Sequence, residues 1–139
     1  MTRLFVDTNV WVYSVDDGEP AKQAVARQVL SPTAGDDLVI SAQVIGEFFV
    51  TVRRKFAEAL PEPDAVALVE QMRRLPVVAI DGELVSAAVA AVRSWQLSYW
   101  DALIIAAAEA SGCAMLLSED LADGVLYGNV QVQNPFREA

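Results

Sequence analysis

Four acids, Asp7, Glu47, Asp101 and Asp120, are the residues best suited to do chemistry in this chain. Asp7 interrupts the apolar run "RLFVDTNVWVYS" (3–14), where burying an uncompensated carboxylate costs several kcal/mol. Glu47 lies early in "AQVIGEFFVTVRRKFAEAL", Asp101 in "LSYWDALIIAAAEASG" and Asp120 in "MLLSEDLADG". Gathered at one edge of a sheet, such groups would repel one another. A divalent cation reverses that balance, because Mg²⁺ and Mn²⁺ prefer oxygen ligands from carboxylates and water. Two such ions, adding four positive charges, would move the net charge from −9 to −5. The sequence has no histidine, which excludes Ser-His-Asp and Cys-His catalysis, His-ligated zinc and imidazole acid–base chemistry. Any catalysis must rest on carboxylates, hydroxyls or a hard cation.

Each acid also has a structural reading. Asp7 can cap a first helix, and Asp101 completes the capping-box pattern "SYWD" with Ser98, where an acid also favours the helix dipole. On a helical wheel, the apolar face of Val44, Ile45, Phe48, Phe49, Val52 and Phe56 points away from Glu47. That puts Glu47 on a solvated flank with Gln43, Thr51 and Arg54. Asp120 can serve turn chemistry, and Glu119 and Asp123 compete with it for any role. Spacing alone suggests a metal site without establishing one.

The elements that must position these acids alternate between strands and helices. "RLFV" (3–6) reads as a buried strand running into Asp7, and "NVWVYSV" as a first helix ended by "DDGEP". Pro20 suits the first turn of a second helix, "AKQAVARQVL". "LVI" (38–40) is a second strand, and Ser41 N-caps a long helical stretch over 42–60. Beyond "PEPD" come a helix over about 64–74, a strand "VVAI" (77–80) and a helix "GELVSAAVAAVRSW" capped by Asp81. Ser98 opens "YWDALIIAAAEAS", which Gly112 ends. "AMLLS" (114–118) is a strand, and "VQVQNP" (130–135) carries the last edge strand. The alternation predicts an α/β sandwich around a parallel sheet, in which ligands bind beyond the carboxyl ends of the strands.

With 139 residues, 54% of them hydrophobic, and a mean hydropathy of +0.32, the sequence predicts one domain over 1–139 with a packed core. No apolar run approaches the roughly 20 residues that span a bilayer. Asp7 breaks the N-terminal apolar stretch that a signal peptide would need, so a cytoplasmic location is expected. Cys113 is the only cysteine and reads as a small buried residue at the start of a strand. A net charge of −9 gives no global attraction for phosphate backbones. Nucleic acid would need a local basic patch or bound cations, and a basic partner suits the same charge.

Taken in order, "FVDTNVWVY", "ISAQVIGEFF", "LSYWDALIIAAAEASG", "MLLSEDLADG" and a closing "VQNPF" resemble the PIN-domain ribonucleases, and among them the VapC-type toxins of toxin–antitoxin pairs. The resemblance covers essentially the whole chain. It implies an α/β, PIN-like three-layer sandwich, with a central parallel sheet of four to five short strands flanked by helices. It also implies that Asp7, Glu47, Asp101 and Asp120 are the catalytic, metal-holding acids, which overrides the wheel's reading of Glu47. Asn9 and Ser118 match positions that hydrogen-bond around those acids. Whether Thr8 serves the site or mainly caps the helix stays open, as does any share of Asp120's role taken by Glu119 or Asp123. The activity implied is that of an endoribonuclease using Mg²⁺ or Mn²⁺ and leaving a 5′-phosphate and a 3′-hydroxyl. The partners implied are RNA, a cognate antitoxin and a second copy in a homodimer. The alternative is a PIN-fold protein that processes RNA, or binds RNA or a partner, without toxin activity.

"RRK" (53–55) is the densest basic run, and Arg54 lies roughly 10 Å along the helix axis from Glu47. It can touch a flanking phosphate, or simply sit at a solvated helix end favoured by the dipole. Trp11, Trp95 and Trp100 are expected in the core rather than stacked on bases. Two rivals fail on sequence. A haloacid-dehalogenase-like phosphohydrolase needs a second Asp where Asn9 stands and a late lysine, yet no lysine follows Lys55. A phosphoacceptor receiver module fails on the same missing lysine.

Overall fold

Three apolar runs too short for helices, Arg3–Val6 (β1), Asp37–Ser41 (β2) and Met115–Leu117 (β4), pair in parallel with β1 in the middle. Their near-continuous hydrophobicity suits strands covered on both faces. The computed structural model describes residues 2–139. Its remaining strands are β3 (Val77–Val78), β5 (Leu126–Tyr127) and β6 (Val130–Gln133), and the sheet order is β3-β2-β1-β4-β6-β5. The helices are α1 (Thr8–Tyr13), α2 (Pro20–Leu30), α3 (Ala42–Lys55), α4 (Glu62–Met72), α5 (Gly82–Trp95) and α6 (Tyr99–Ala110). Alternation along β1 divides the interior. Phe5 faces a larger core with Phe48, Leu84 and Leu103, while Leu4 and Val6 face a smaller one with Val10, Ala26 and Phe136. Three layers result, as expected for the PIN-like sandwich.

From β1 the chain lays β2 and β3 on one side, then returns to place β4 on the other. That reversal opens a crevice beyond the carboxyl ends of β1 and β4, where ligands of open α/β sheets bind. Ser41, Asp81 and Ser98 cap their helices through Val44, Leu84 and Asp101 amides at 3.3, 2.9 and 3.1 Å. Among the described residues, no helix is long and apolar enough to cross a membrane.

The elements depart from the sequence expectation at several points. Helix α3 stops at Lys55 rather than 60, because Phe56 and Leu60 turn inward to pack on the core. Strand β3 keeps only two residues, since its partner β2 ends at Ser41 opposite Val78. The stretch expected as the last edge strand lies inside the sheet, between β4 and an added antiparallel β5. The turn between β5 and β6 rests on Gly128 at φ +62, a backbone state glycine adopts without penalty. The sheet therefore has six strands where four to five were expected.

Candidate active site

Asp7 stands where β1 ends and α1 begins. Its amide donates to the Leu117 carbonyl at 3.0 Å, extending the β1–β4 ladder by one bond. Its Oδ1 accepts from the Thr8 amide at 2.7 Å as the N-cap of α1, and its Oδ2 accepts from the Ser118 hydroxyl at 2.7 Å. Ser118 is fully buried, and its Oγ accepts in turn from the amides of Asp120 (3.2 Å) and Leu121 (3.4 Å). Among the described residues no lysine or arginine pairs with Asp7, which is only 7% exposed. Burial pushes its pKa up to about 6. The Ser118 and Thr8 hydrogen bonds oppose that rise, and the Asp120 and Glu47 charges add to it.

The other three acids come from separate elements. Glu47 on α3 is exposed, as the wheel requires, but the solvent it meets is that of the crevice. Its Oε1 accepts from the Thr8 hydroxyl at 2.9 Å, so Thr8 both starts α1 and reaches the site. Asp101 has its amide bonded to Ser98 Oγ at 3.1 Å. Its carboxylate does not complete the capping box and has no hydrogen-bond partner among the described residues. Asp120 Oδ2 accepts from Asn9 Nδ2 at 3.2 Å, while Asn9 Oδ1 accepts from the Glu119 amide at 3.1 Å. Asn9 thereby clamps the loop after β4.

Glu119 stands at the rim of the cleft in bonds of its own, and Asp123 lies outside it. Glu119 accepts from Lys22 Nζ and the Tyr13 hydroxyl, each at 2.6 Å. Burial would raise its pKa, but these two bonds outweigh it and hold the carboxyl below its usual range. Lys22 also lies 4.8 Å from the centre of the Tyr13 ring. Asp123 accepts from the Asn134 amide at 2.7 Å and pairs with Arg137 at 3.0 Å. Sequence reading missed the Lys22–Tyr13–Glu119 clasp, and the separation of Lys22 from Glu119 by 97 positions left no local signal for it.

All four acids line one cleft of about 850 Å³ with Thr8 and Asn9, and Asp16, Glu19 and Glu119 line it too. Positions 43, 46, 47, 50, 51, 54 and 55 of α3 form its wall, a helical stripe that ends in the exposed cations Arg54 and Lys55. Trp100 lines the cleft and is 62% exposed, which corrects the expectation of a core tryptophan. Trp95 is likewise exposed, at 36%, with its ring edge-on to Tyr127, so of the three only Trp11 packs on the core, donating to the Val6 carbonyl at 3.3 Å. The donor set of the cleft is oxygen and anionic, which fits Mg²⁺ or Mn²⁺. No three acids among the described residues stand close enough to enclose an ion by themselves.

Residues 4–122 match the model of the PIN domain, and the chain belongs to that family. Comparison with curated proteins gives no match. Among solved structures, the fold is similar to the Mycobacterium tuberculosis toxin VapC20, which cleaves the sarcin–ricin loop. There the TM-score is 0.64 at 22% identity, over 81% of this chain and 86% of that one. A toxin–antitoxin complex from Klebsiella pneumoniae aligns with TM-score 0.68 at 17% identity, covering 95% of this chain and 97% of that one. DNA-bound VapBC from Salmonella typhimurium gives TM-score 0.68 at 15% identity over 97% and 99%.

Proposed function

We propose that this chain is an endoribonuclease dependent on Mg²⁺ or Mn²⁺, acting as the toxin of a toxin–antitoxin pair. The observation that carries the reading is Asp7: a carboxylate 7% exposed, without a cationic side chain, facing a cleft that Glu47, Asp101 and Asp120 line with three further acids, Asp16, Glu19 and Glu119. Asp7, Glu47, Asp101 and Asp120 are the residues that would hold the cation. When bound, it supplies water activation and stabilises charge developing on the phosphodiester. Ser118 and the Thr8 amide fix the Asp7 carboxylate, and Asn9 and Thr8 orient Asp120 and Glu47. Arg54, at the far end of the same cleft, is the local cation that lets an acidic protein hold a phosphate backbone. The solved relatives that carry an antitoxin support the same kind of partner here. A homodimer and a cytoplasmic site of action complete the proposal.

The test compares wild type and Asp7→Asn on single-stranded RNA with Mg²⁺, Mn²⁺ or EDTA. Cleavage should need both the cation and Asp7, and retained cleavage by Asp7→Asn with metal present would overturn the site. Expression with and without the adjacent small reading frame then tests toxicity. Growth arrest relieved by the neighbour is expected, whereas no arrest in either case favours an RNA-processing or RNA-binding role.

A further inference from the structure

Two residues of the cleft are poor choices for folding alone. Trp100, in the first turn of α6, leaves 62% of its surface in solvent, although a tryptophan is among the side chains that gain most from burial. Gly46 sits inside α3, where glycine costs roughly 0.5–1 kcal/mol against alanine. Its backbone has no positive φ, and a Cβ built there would meet nothing within 4 Å. Neither backbone geometry nor packing demands it.

The two residues share one wall of the cleft. Gln43, 8% exposed, donates from Nε2 to the Trp100 carbonyl at 3.2 Å, tying α3 to the start of α6. Gly46 follows Gln43 by three positions and so lies on the same helix face one turn on. Val50, also 62% exposed, continues that face, making a strip without charge along this wall. The strip lies between Asp101, which follows Trp100 directly, and Arg54, which lies one turn past Val50. A planar apolar group carrying a phosphate on its flank matches this order of ring, gap and cation.

We propose that Trp100 and Gly46 form a subsite for one unpaired nucleobase of RNA, the base stacking on the indole in the space that the missing Cβ leaves open. This rests on the ribonuclease reading above. It commits the substrate to a single-stranded or looped segment at the site of cleavage, because a paired base cannot present its face.

The probe is a fluorescein-labelled single-stranded octaribonucleotide and the same oligomer with abasic ribose throughout, bound to Asp7→Asn protein with Mg²⁺. In that background Trp100→Phe should bind within about threefold of the parent, while Trp100→Leu should lose about tenfold or more, the usual worth of one stacked base. The abasic oligomer should not distinguish Trp100→Leu from the parent. Gly46→Gln should melt no lower than the parent, since glutamine is the better helix former, yet bind the intact oligomer at least tenfold more weakly. Unchanged RNA binding by Trp100→Leu and Gly46→Gln, with wild type still cleaving RNA, would overturn the subsite and leave the nuclease standing. Loss of dimer in Trp100→Leu at unchanged RNA affinity overturns it too, by assigning the indole to a second copy. If wild type neither binds nor cleaves RNA, the ribonuclease reading falls first.

Discussion

Replacing Asp7 by asparagine should stabilise the metal-free protein. The folded state raises this carboxyl from 3.8 to about 6, which corresponds to about 3 kcal/mol of folding free energy lost when the group is ionised. The sign follows from proton binding. Between those two pH values the folded chain holds a proton that the unfolded chain has released, so wild-type stability falls as pH rises through 4 to 6. Above that range the penalty is complete. Asparagine removes the charge and keeps an oxygen for the Thr8 amide. Its amide group is less welcome, because Ser118 Oγ already receives the Asp120 and Leu121 amides. Discounting for that mismatch leaves a net gain of about 1–2 kcal/mol, or roughly 3–8 °C in melting temperature for a domain of this size. Thermal melts in EDTA at pH 7.5 and pH 4 measure it directly. The gap should favour the variant at pH 7.5, reverse by about 1–2 kcal/mol in favour of wild type at pH 4, where only the amide mismatch is left, and narrow at pH 7.5 when Mg²⁺ binds wild type alone. Equal melting temperatures at pH 7.5 in EDTA, or a variant that is still the more stable form at pH 4, would refute the reasoning.

Other perturbations probe the supports of the site. Ser118→Ala removes the hydroxyl that lowers the Asp7 pKa and orphans two loop amides, so it should cost about 1–3 kcal/mol in denaturant melts. It should also move the acid limb of the pH–rate profile to higher pH. Lys22→Met frees Glu119 and loosens the loop that carries Asp120. Cleavage should fall about tenfold or more, in the range seen for residues that orient metal ligands, and adding Glu119→Gln should cause little further loss in a double-mutant cycle. Arg54→Gln should weaken binding of single-stranded RNA and reduce the salt dependence of log affinity by about 0.7, measured by titration at several ionic strengths.

Local chemistry made much of this molecule legible in its sequence. The caps Ser41, Asp81 and Ser98, the Pro20 start of α2 and the apolar strand cores all act within a few residues of themselves, and the structure places them as read. The end of α3 was not legible, because Phe56 and Leu60 break the helix to reach a core formed by distant elements. Strand β5 did leave a signal, the Gly128–Asn129 turn between Tyr127 and Val130, but two residues are too short for periodicity to show. At the candidate site the wheel gave the exposure of Glu47 correctly and could not say that its solvent is a crevice closed by Thr8. Trp100 failed for the complementary reason, since hydrophobicity predicts burial and the helix start turns this ring outward.

The bond from the Asp7 amide to the Leu117 carbonyl makes the first acid a member of the sheet as well as of the cleft. Its side chain is fastened through Ser118 to the end of the neighbouring strand. Opening this corner therefore means parting the central strand pair, and that requires near-global unfolding rather than a local breath. The Asp7 amide should be among the slowest in the chain to exchange with deuterium. A carboxylate rooted so deeply has no hinge of its own, unlike Asp120, whose loop depends on Asn9 and the Lys22–Glu119 pair. Under the proposed function, silencing Asp7 would fall to a partner laid over the mouth of the cleft rather than to a movement of the strand that carries it.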